Sequence, residues 1–347
     1  MKRSVALLLA ICLAMGMAAC SRSPRQNTEG PAEAFTRDFF AMNTYISLTA
    51  YGEEADTALE QAQERIQELE GLWSVTDENS DIFRINQNSG QSVTVSGETA
   101  RIVSFALEMA EKTGGALDPT IYPVLEAWGF TTDQKQVPSD EEIASLLAYV
   151  GYSRISLEGT QLTVPEGMEL DLGAVGKGYT ADLVTETLAG YGVESAVISL
   201  GGNVQAIGSR PDGSDWRIGI REPWGEGNLG ILEVSDAGVV TSGGYENYFE
   251  DGEGNIYWHI LDPKTGHPAN SGLQSVTIVS TAGKLCDALS TALFVMGADG
   301  AENYWRENGG FDMLLVTDDG EILITEGIAQ QFTLGENREE TVMVLEQ

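Results

Sequence analysis

An α+β fold, with mainly antiparallel sheets and packed helices, is what this sequence of 347 residues predicts. Three observations carry that expectation. Helix-like and strand-like periods mix along the chain without the regular alternation that builds parallel βαβ units. Short strand-like runs dominate from Tyr152 onward. The hydrophobic fraction of 42% supplies a sizeable core in a chain this long, arranged as one large unit that could divide into two subdomains. No internal repeat or low-complexity body segment interrupts it.

The first residues, MKRSVALLLAICLAMGMAAC, join two positive charges to an apolar run too short for a comfortable membrane span. Small residues then lead directly into Cys20. The pattern resembles a bacterial lipoprotein signal over 1–19, with lipid on the Cys20 thiol; an ordinary signal peptide or an uncleaved anchor are the alternatives. Residues 20–36 are polar, with Pro and Gly and no apolar period, and read as a flexible tether reaching on the order of 20 Å. The folded body is expected over 37–347, outside the cytoplasm and lipid-anchored to a bacterial membrane. Of three cysteines, Cys12 lies in the signal and Cys20 would be lipidated, which leaves Cys286 without an intramolecular partner. Cys286 is most simply a buried small residue.

Formal net charge is −34, and loss of Lys2 and Arg3 with the signal would make it −36. A charge this negative argues against nucleic acid and anionic lipid surfaces as partners. Any anionic ligand must then be met by local Lys or Arg, a helix end or a divalent cation.

Along the body, Ala41 to Tyr51 alternates like a strand. Ala55, Leu59, Ala62, Ile66, Leu69 and Trp73 recur every three or four residues, which predicts an amphipathic helix ending near Gly71. A second helix fits Thr99 to Lys112, closed by Gly114 and Gly115. A third starts at Ser139, whose spacing to Glu142 makes a capping box. Further helices are expected near Gly178 to Ala189 and Asp287 to Val295. Phe311 to Thr325 reads as a hairpin around Asp319-Gly320.

Three stretches carry chemistry. In LDLGAVGKG, Leu170 to Gly178, a strand-like approach ends in Asp171 and glycines let backbone come close to a ligand, with Lys177 opening a helix. The spacing G-x-x-G-x-G is neither the dinucleotide fingerprint nor a P-loop. The only histidines, His259 and His267, flank the turn Asp262 to Gly266. With Asp262 they could ligate zinc, which needs three or four converging ligands, or His259 could act alone as a proton acceptor. Asp287 and Thr291 lie four apart, so both oxygens can face one side of a helix and suit a hard cation such as Mg²⁺; Asp287 as a simple helix N-cap is the alternative.

AMNTYISLTAYG, LDLGAVGKGYTAD, ISLGGNV, HILDPKTGHP and CDALSTALFVMG, in this order, resemble the FAD:protein FMN transferase family, also called the ApbE or thiamine-biosynthesis lipoprotein family. The resemblance implies a flavin transferase over 37–347. It would take FAD as substrate and, with Mg²⁺, move the FMN half onto a Thr or Ser hydroxyl of a partner protein, releasing AMP. It implies Asp287, Thr291 and the Ala174 carbonyl as metal ligands with Ser290 beside them, and Asp171 and Lys177 on FAD. Met42, Thr76, the segment Ala116-Leu117-Asp118 and Ile260 would line the same site, and His259 would be the base. Thr76 stands where many relatives carry an aromatic. The implied acceptors are extracytoplasmic flavoprotein subunits of membrane redox complexes. Two other readings remain: an FAD pyrophosphatase giving FMN and AMP, and a lipoprotein that binds FAD without chemistry.

Overall fold

The computed structural model describes residues 33–132, 134–336, 338 and 340–347. The expected signal, Cys20 and most of the tether lie outside the described residues. In chain order the strands are β1 (Ala34–Ala41), β2 (Thr44–Tyr51), β3 (Ser92–Thr94), β4 (Ser156–Glu158), β5 (Gln161–Thr163), β6 (Ser195–Leu200), β7 (Asn203–Ile207), β8 (Trp216–Arg221), β9 (Asn228–Val234), β10 (Gly238–Gly243), β11 (Tyr248–Glu250), β12 (Ile256–Trp258), β13 (Leu273–Ser280), β14 (Asp312–Thr317), β15 (Ile322–Thr325), β16 (Phe332–Leu334) and β17 (Val342–Leu345). The helices are α1 (Ala55–Trp73), α2 (Asp81–Gln87), α3 (Gly97–Lys112), α4 (Tyr122–Ala127), α5 (Asp140–Leu147), α6 (Gly176–Gly190) and α7 (Gly283–Asn308).

The expected strand over Ala41 to Tyr51 is instead the end of one strand and all of the next. β1 and β2 pair in register Ala41↔Thr44 about the turn Met42-Asn43, whose φ angles are 51° and 58°. Two successive left-handed residues give the tight turn whose twist matches its strands. β1 also begins inside the expected tether, at Ala34.

Nine strands form the main sheet in the order β1-β2-β6-β7-β10-β13-β14-β15-β17. Its neighbours pair antiparallel except β15 with β17, which run parallel. Helices α1 and α6 cover one face: Ala58, Leu59, Ala62 and Ile66 meet Ala181, Val184 and Leu188 over Ile46 and Leu48 of β2 and Ile198 and Leu200 of β6. A three-stranded sheet, β16-β9-β8, covers the other face. β14 shows why its run DMLLVT is almost wholly apolar. Met313 and Leu315 pack with α7, while Leu314 and Val316 join Trp216, Leu229 and Leu232. Both faces of the strand are therefore core, and each such side chain contributes about 1.5–3 kcal/mol by leaving water.

The caps explain several boundaries. Ser139 accepts from the Glu142 amide at 3.2 Å, the predicted start of α5. Ser96 accepts from Thr99, so α3 opens at Gly97, earlier than the apolar period indicates. The largest departure is α7, which runs to Asn308 through a kink at Gly297 (φ 76°) instead of ending near Val295. Asp287 is not its cap. The N-cap position is Ala282, and the free amides of Gly283 and Lys284 donate to the carboxylate of Asp182, supplied by α6 at 2.6 and 3.4 Å. Residues Glu33–Gln347 cluster as one unit, with no second subdomain.

Candidate functional site

A cleft of about 700 Å³ opens where the N-terminus of α6, the first turns of α7, the Met42-Asn43 turn and the segment around His259 meet. Its floor is set by two helices that cross at glycine. A methyl carbon built on Gly178 would fall 2.5 Å from Asp287 Cβ and closer still to the Gly283 carbonyl oxygen. With no side chain there, the Gly178 amide donates to Asp287 Oδ2 at 2.8 Å. Gly178 lies in the first turn of α6, where the N–H groups have no acceptor within the helix, so the carboxylate satisfies one of them. Ala174, just before that turn, also lines the cleft.

Asp287 is 4% exposed, and its second oxygen, Oδ1, accepts from Asn203 Nδ2 at 2.8 Å. Asn203 starts β7 directly after the turn Gly201-Gly202, whose φ angles are 61° and 97°. A side chain on Gly201 would overlap Thr44 Oγ1, so the hairpin fits only with glycine there. Thr291, one helical turn beyond Asp287, lines the same cleft. Ser290 does not. It is fully buried, donates to the Asp287 carbonyl at 2.9 Å and lies 2.8 Å from Ser242 Oγ; Ser242 is the serine that reaches the cleft.

The turn into α6 brings Asp171 and Lys177 to the same cleft. Asp171 Oδ2 accepts from the Gly173 amide at 2.9 Å. Burial pushes its pKa up, against the pull of that amide and of Lys177. Lys177 forms no ion pair among the described residues. Five carboxylates, of Glu70, Asp118, Asp171, Glu246 and Asp287, line the cleft against this one ammonium. Burial also raises the Glu246 pKa, with Arg221 and Lys177 opposing. Only some of these groups face a ligand freely. Asp118 is tied to Thr120 (2.9 Å to N, 2.6 Å to Oγ1) and to the Tyr152 amide (3.0 Å), which fixes the Ala116-Leu117-Asp118 wall. Glu70 accepts from the Met42 amide at 2.6 Å and so clamps the left-handed turn at the mouth.

The histidines part company. His267 lies against Trp128 and 3.6 Å from Asp140, whereas His259 lines the cleft beside Ile260. Among the described residues no three His, Cys, Asp or Glu side chains converge as a metal cluster. His259 Nδ1 is buried without a hydrogen-bond partner, and the backbone N–H donates to Asn247 at 3.0 Å. Burial, and then the charge of Lys177, push its pKa down to about 4. The imidazole is thus neutral at ordinary pH and able to accept a proton.

At the mouth, Thr76 is exposed and within 3.2 Å of Ser74 Oγ. Trp73 packs its edge on Tyr179 at 6.0 Å, so the ring surfaces at the cleft include Phe40, 69% exposed, and Phe130. Met42, Thr76, Ala116, Leu117, Asp118, Asp171, Ala174, Lys177, His259, Ile260, Asp287 and Thr291 all border one space. Sequence reasoning missed Glu70, Asn203, Ser242, Glu246 and Phe130. Asn203 had a signal, since it follows a Gly-Gly turn in ISLGGNV.

The residues present fit a divalent cation. The Asp287 carboxylate, the Thr291 hydroxyl and the backbone carbonyl of Ala174 form an oxygen donor set with few protein ligands, as Mg²⁺ accepts when phosphate completes its shell. The excess of carboxylates also means that an anionic ligand needs a cation beyond Lys177.

The sequence profile of the ApbE family matches residues 42–315. A curated FAD:protein FMN transferase of Treponema pallidum is 31% identical over 340 residues, covering 92% of this chain and 93% of the relative. The one from Vibrio cholerae is 31% identical over 322 residues, covering 90% and 94%. Among solved structures, the ApbE protein of Thermotoga maritima superposes with a TM-score of 0.81 at 33% identity over 88% of this chain and 100% of its own. The apo flavinyl transferase ApbE of Pseudomonas stutzeri gives 0.79 at 28% identity, over 88% and 99%. The chain belongs to the ApbE family.

Proposed function

We propose that this cleft moves the FMN half of FAD onto a Thr or Ser hydroxyl of a partner protein, with Mg²⁺, and releases AMP. The observation that carries the reading is the meeting of three unlike groups in one cleft: unpaired Lys177 at a helix N-terminus, the oxygens of Asp287, Thr291 and Ala174, and the neutral imidazole of His259. The curated relatives are FAD:protein FMN transferases, which supports the same reaction here.

Asp287, Thr291 and the Ala174 carbonyl would hold Mg²⁺, which when bound neutralises pyrophosphate charge. Lys177 and the positive end of α6 hold phosphate oxygens. The clamped Met42 turn and the Ala116-Leu117-Asp118 wall orient the dinucleotide. As the acceptor hydroxyl oxygen bonds to the flavin-side phosphorus, its proton passes to His259, and the bond from that phosphorus to the bridging oxygen breaks. The oxygen leaves on AMP. Charge balances, because AMP carries away the electron pair and the base carries the proton.

The acceptor reading, extracytoplasmic subunits of membrane redox complexes, rests on the family resemblance and on the signal-like residues before the described chain, as does a lipid anchor at Cys20. A second reading, FAD pyrophosphatase, draws on the exposed Thr76 at the mouth, a position that carries a small polar side chain and no ring. One experiment decides. The protein is incubated with FAD, Mg²⁺ and a flavoprotein subunit bearing an acceptor hydroxyl, then analysed by intact mass. A gain of one phosphoester-linked FMN that needs Mg²⁺ establishes transfer. Free FMN and AMP without a gain would replace it by hydrolysis, and intact FAD would leave a binding protein.

A further inference from the structure

We propose that Asn203 is a positioning residue for the divalent-cation site, an inference that rests on the reading of Asp287 as a metal ligand. Asn203 is 4% exposed, and a polar side chain this deep requires a partner. Its amide Nδ2 donates to Asp287 Oδ1 at 2.8 Å while the Gly178 amide donates to Oδ2 at 2.8 Å. Both oxygens of the carboxylate are therefore held, one from the start of β7 and one from the start of α6.

Two such donors do more than fill space. Hydrogen bonds to a carboxylate are short and directional, and here one reaches each oxygen. They also fix the rotation of the carboxylate plane at the cleft that Thr291 and Ala174 also line. Asn203 itself is fixed on three sides of the argument: its strand register (Leu200↔Asn203), the left-handed glycines before it, and the lack of room for a side chain at Gly201. A carboxylate in place of the amide would lack the N–H. A hydrocarbon of similar size would leave Oδ1 buried without a donor.

The test uses Mn²⁺ as a spin-active stand-in for Mg²⁺, titrated into the wild-type chain and Asn203→Leu with and without FAD and followed by electron paramagnetic resonance. Thermal melting and the Mg²⁺ dependence of turnover are measured in parallel. Loss of a hydrogen bond to a charged group corresponds to a tenfold or greater rise in the Mn²⁺ dissociation constant. The loss should fall on the Mg²⁺ concentration for half-maximal turnover more than on turnover at saturation. If Asn203→Leu does not fold, Asn203→Ser serves, because its shorter hydroxyl keeps the site polar without reaching Oδ1. A variant with lowered melting temperature but Mn²⁺ affinity within twofold of wild type would show a purely structural asparagine and overturn the inference. A wild-type chain that binds no Mn²⁺ with FAD present would overturn the metal reading itself, and this inference with it.

Discussion

Gly178→Ala places one methyl group where α6 crosses α7, and the structure fixes what it meets. The added carbon falls on the Gly283 carbonyl and 2.5 Å from Asp287 Cβ; the first is backbone, so the helices themselves must part. Overpacking of this kind costs about 1–3 kcal/mol. Parting the helices also stretches the 2.8 Å bond from the residue 178 amide to Asp287, a charged hydrogen bond worth about 1.5–3 kcal/mol. Alanine regains about 1 kcal/mol of helix propensity over glycine. The net expectation is a destabilisation of about 1.5–5 kcal/mol. At about 2 °C per kcal/mol for a chain of this size, the melting temperature drops by about 3–10 °C. Gly190→Ala is the internal control, since that glycine ends the same helix with nothing within 4 Å of its added carbon. Differential scanning calorimetry of both variants reads the difference. A Gly178→Ala melting temperature within about 2 °C of wild type would refute the close-crossing argument, whatever the activity.

Lys177→Met removes the cleft's one ammonium and should weaken FAD binding roughly tenfold to hundredfold, from the usual worth of a charged hydrogen bond; isothermal titration with Mg²⁺ held constant checks it. His259 should give the acid limb of the rate profile an apparent pKa near 4 in place of the usual 6.5, and His259→Gln should flatten that limb. The sign for stability follows from the same shift. The unfolded chain binds the proton from about pH 6.5 downward and the folded chain only near 4, so this group lowers stability as pH falls across that window. In urea melts between pH 7 and 4, the stability of wild type relative to His259→Gln should fall as pH falls if the cause is His259. Ser139→Ala removes the α5 cap and should cost about 1 kcal/mol, seen as faster amide exchange at Glu142 with the cleft unaffected.

How much of this was legible depends on whether the deciding contact is local. The α1 stripe from Ala55 to Trp73 and the Ser139 cap were plain, because period and capping act within one turn. The three chemical stretches were legible as residue types, and the structure gathers nearly all of them. Asp287 was harder: at the start of the expected helix it reads as a cap, and only Asp182, more than a hundred positions upstream, shows that the helix begins at Gly283 and is capped from another helix. Ser290 and Thr291 are neighbours in sequence and both approach Ser242 on β10, yet Ser290 is fully buried and only Thr291 lines the cleft, a difference set by how α7 packs on the sheet. Glu70 and Asn203 were not flagged, because their partners, Met42 and Asp287, are distant in sequence. The break at Met42-Asn43 was hidden by alternation that continues through it. Non-glycine residues adopt left-handed backbone seldom enough that composition gives no warning.

The single ammonium among five carboxylates also bears on how quickly a ligand arrives. Enzymes for anionic substrates commonly draw them in through a positive field, and added salt slows the encounter. Here the surrounding charge is of the same sign as the dinucleotide, in a chain of net charge −34. Without divalent cation, encounter works against a repulsive field, and monovalent salt, by shortening the range of that field, should speed association up to roughly physiological ionic strength. The usual salt dependence of the on-rate is thereby inverted, and stopped-flow mixing with FAD would display it.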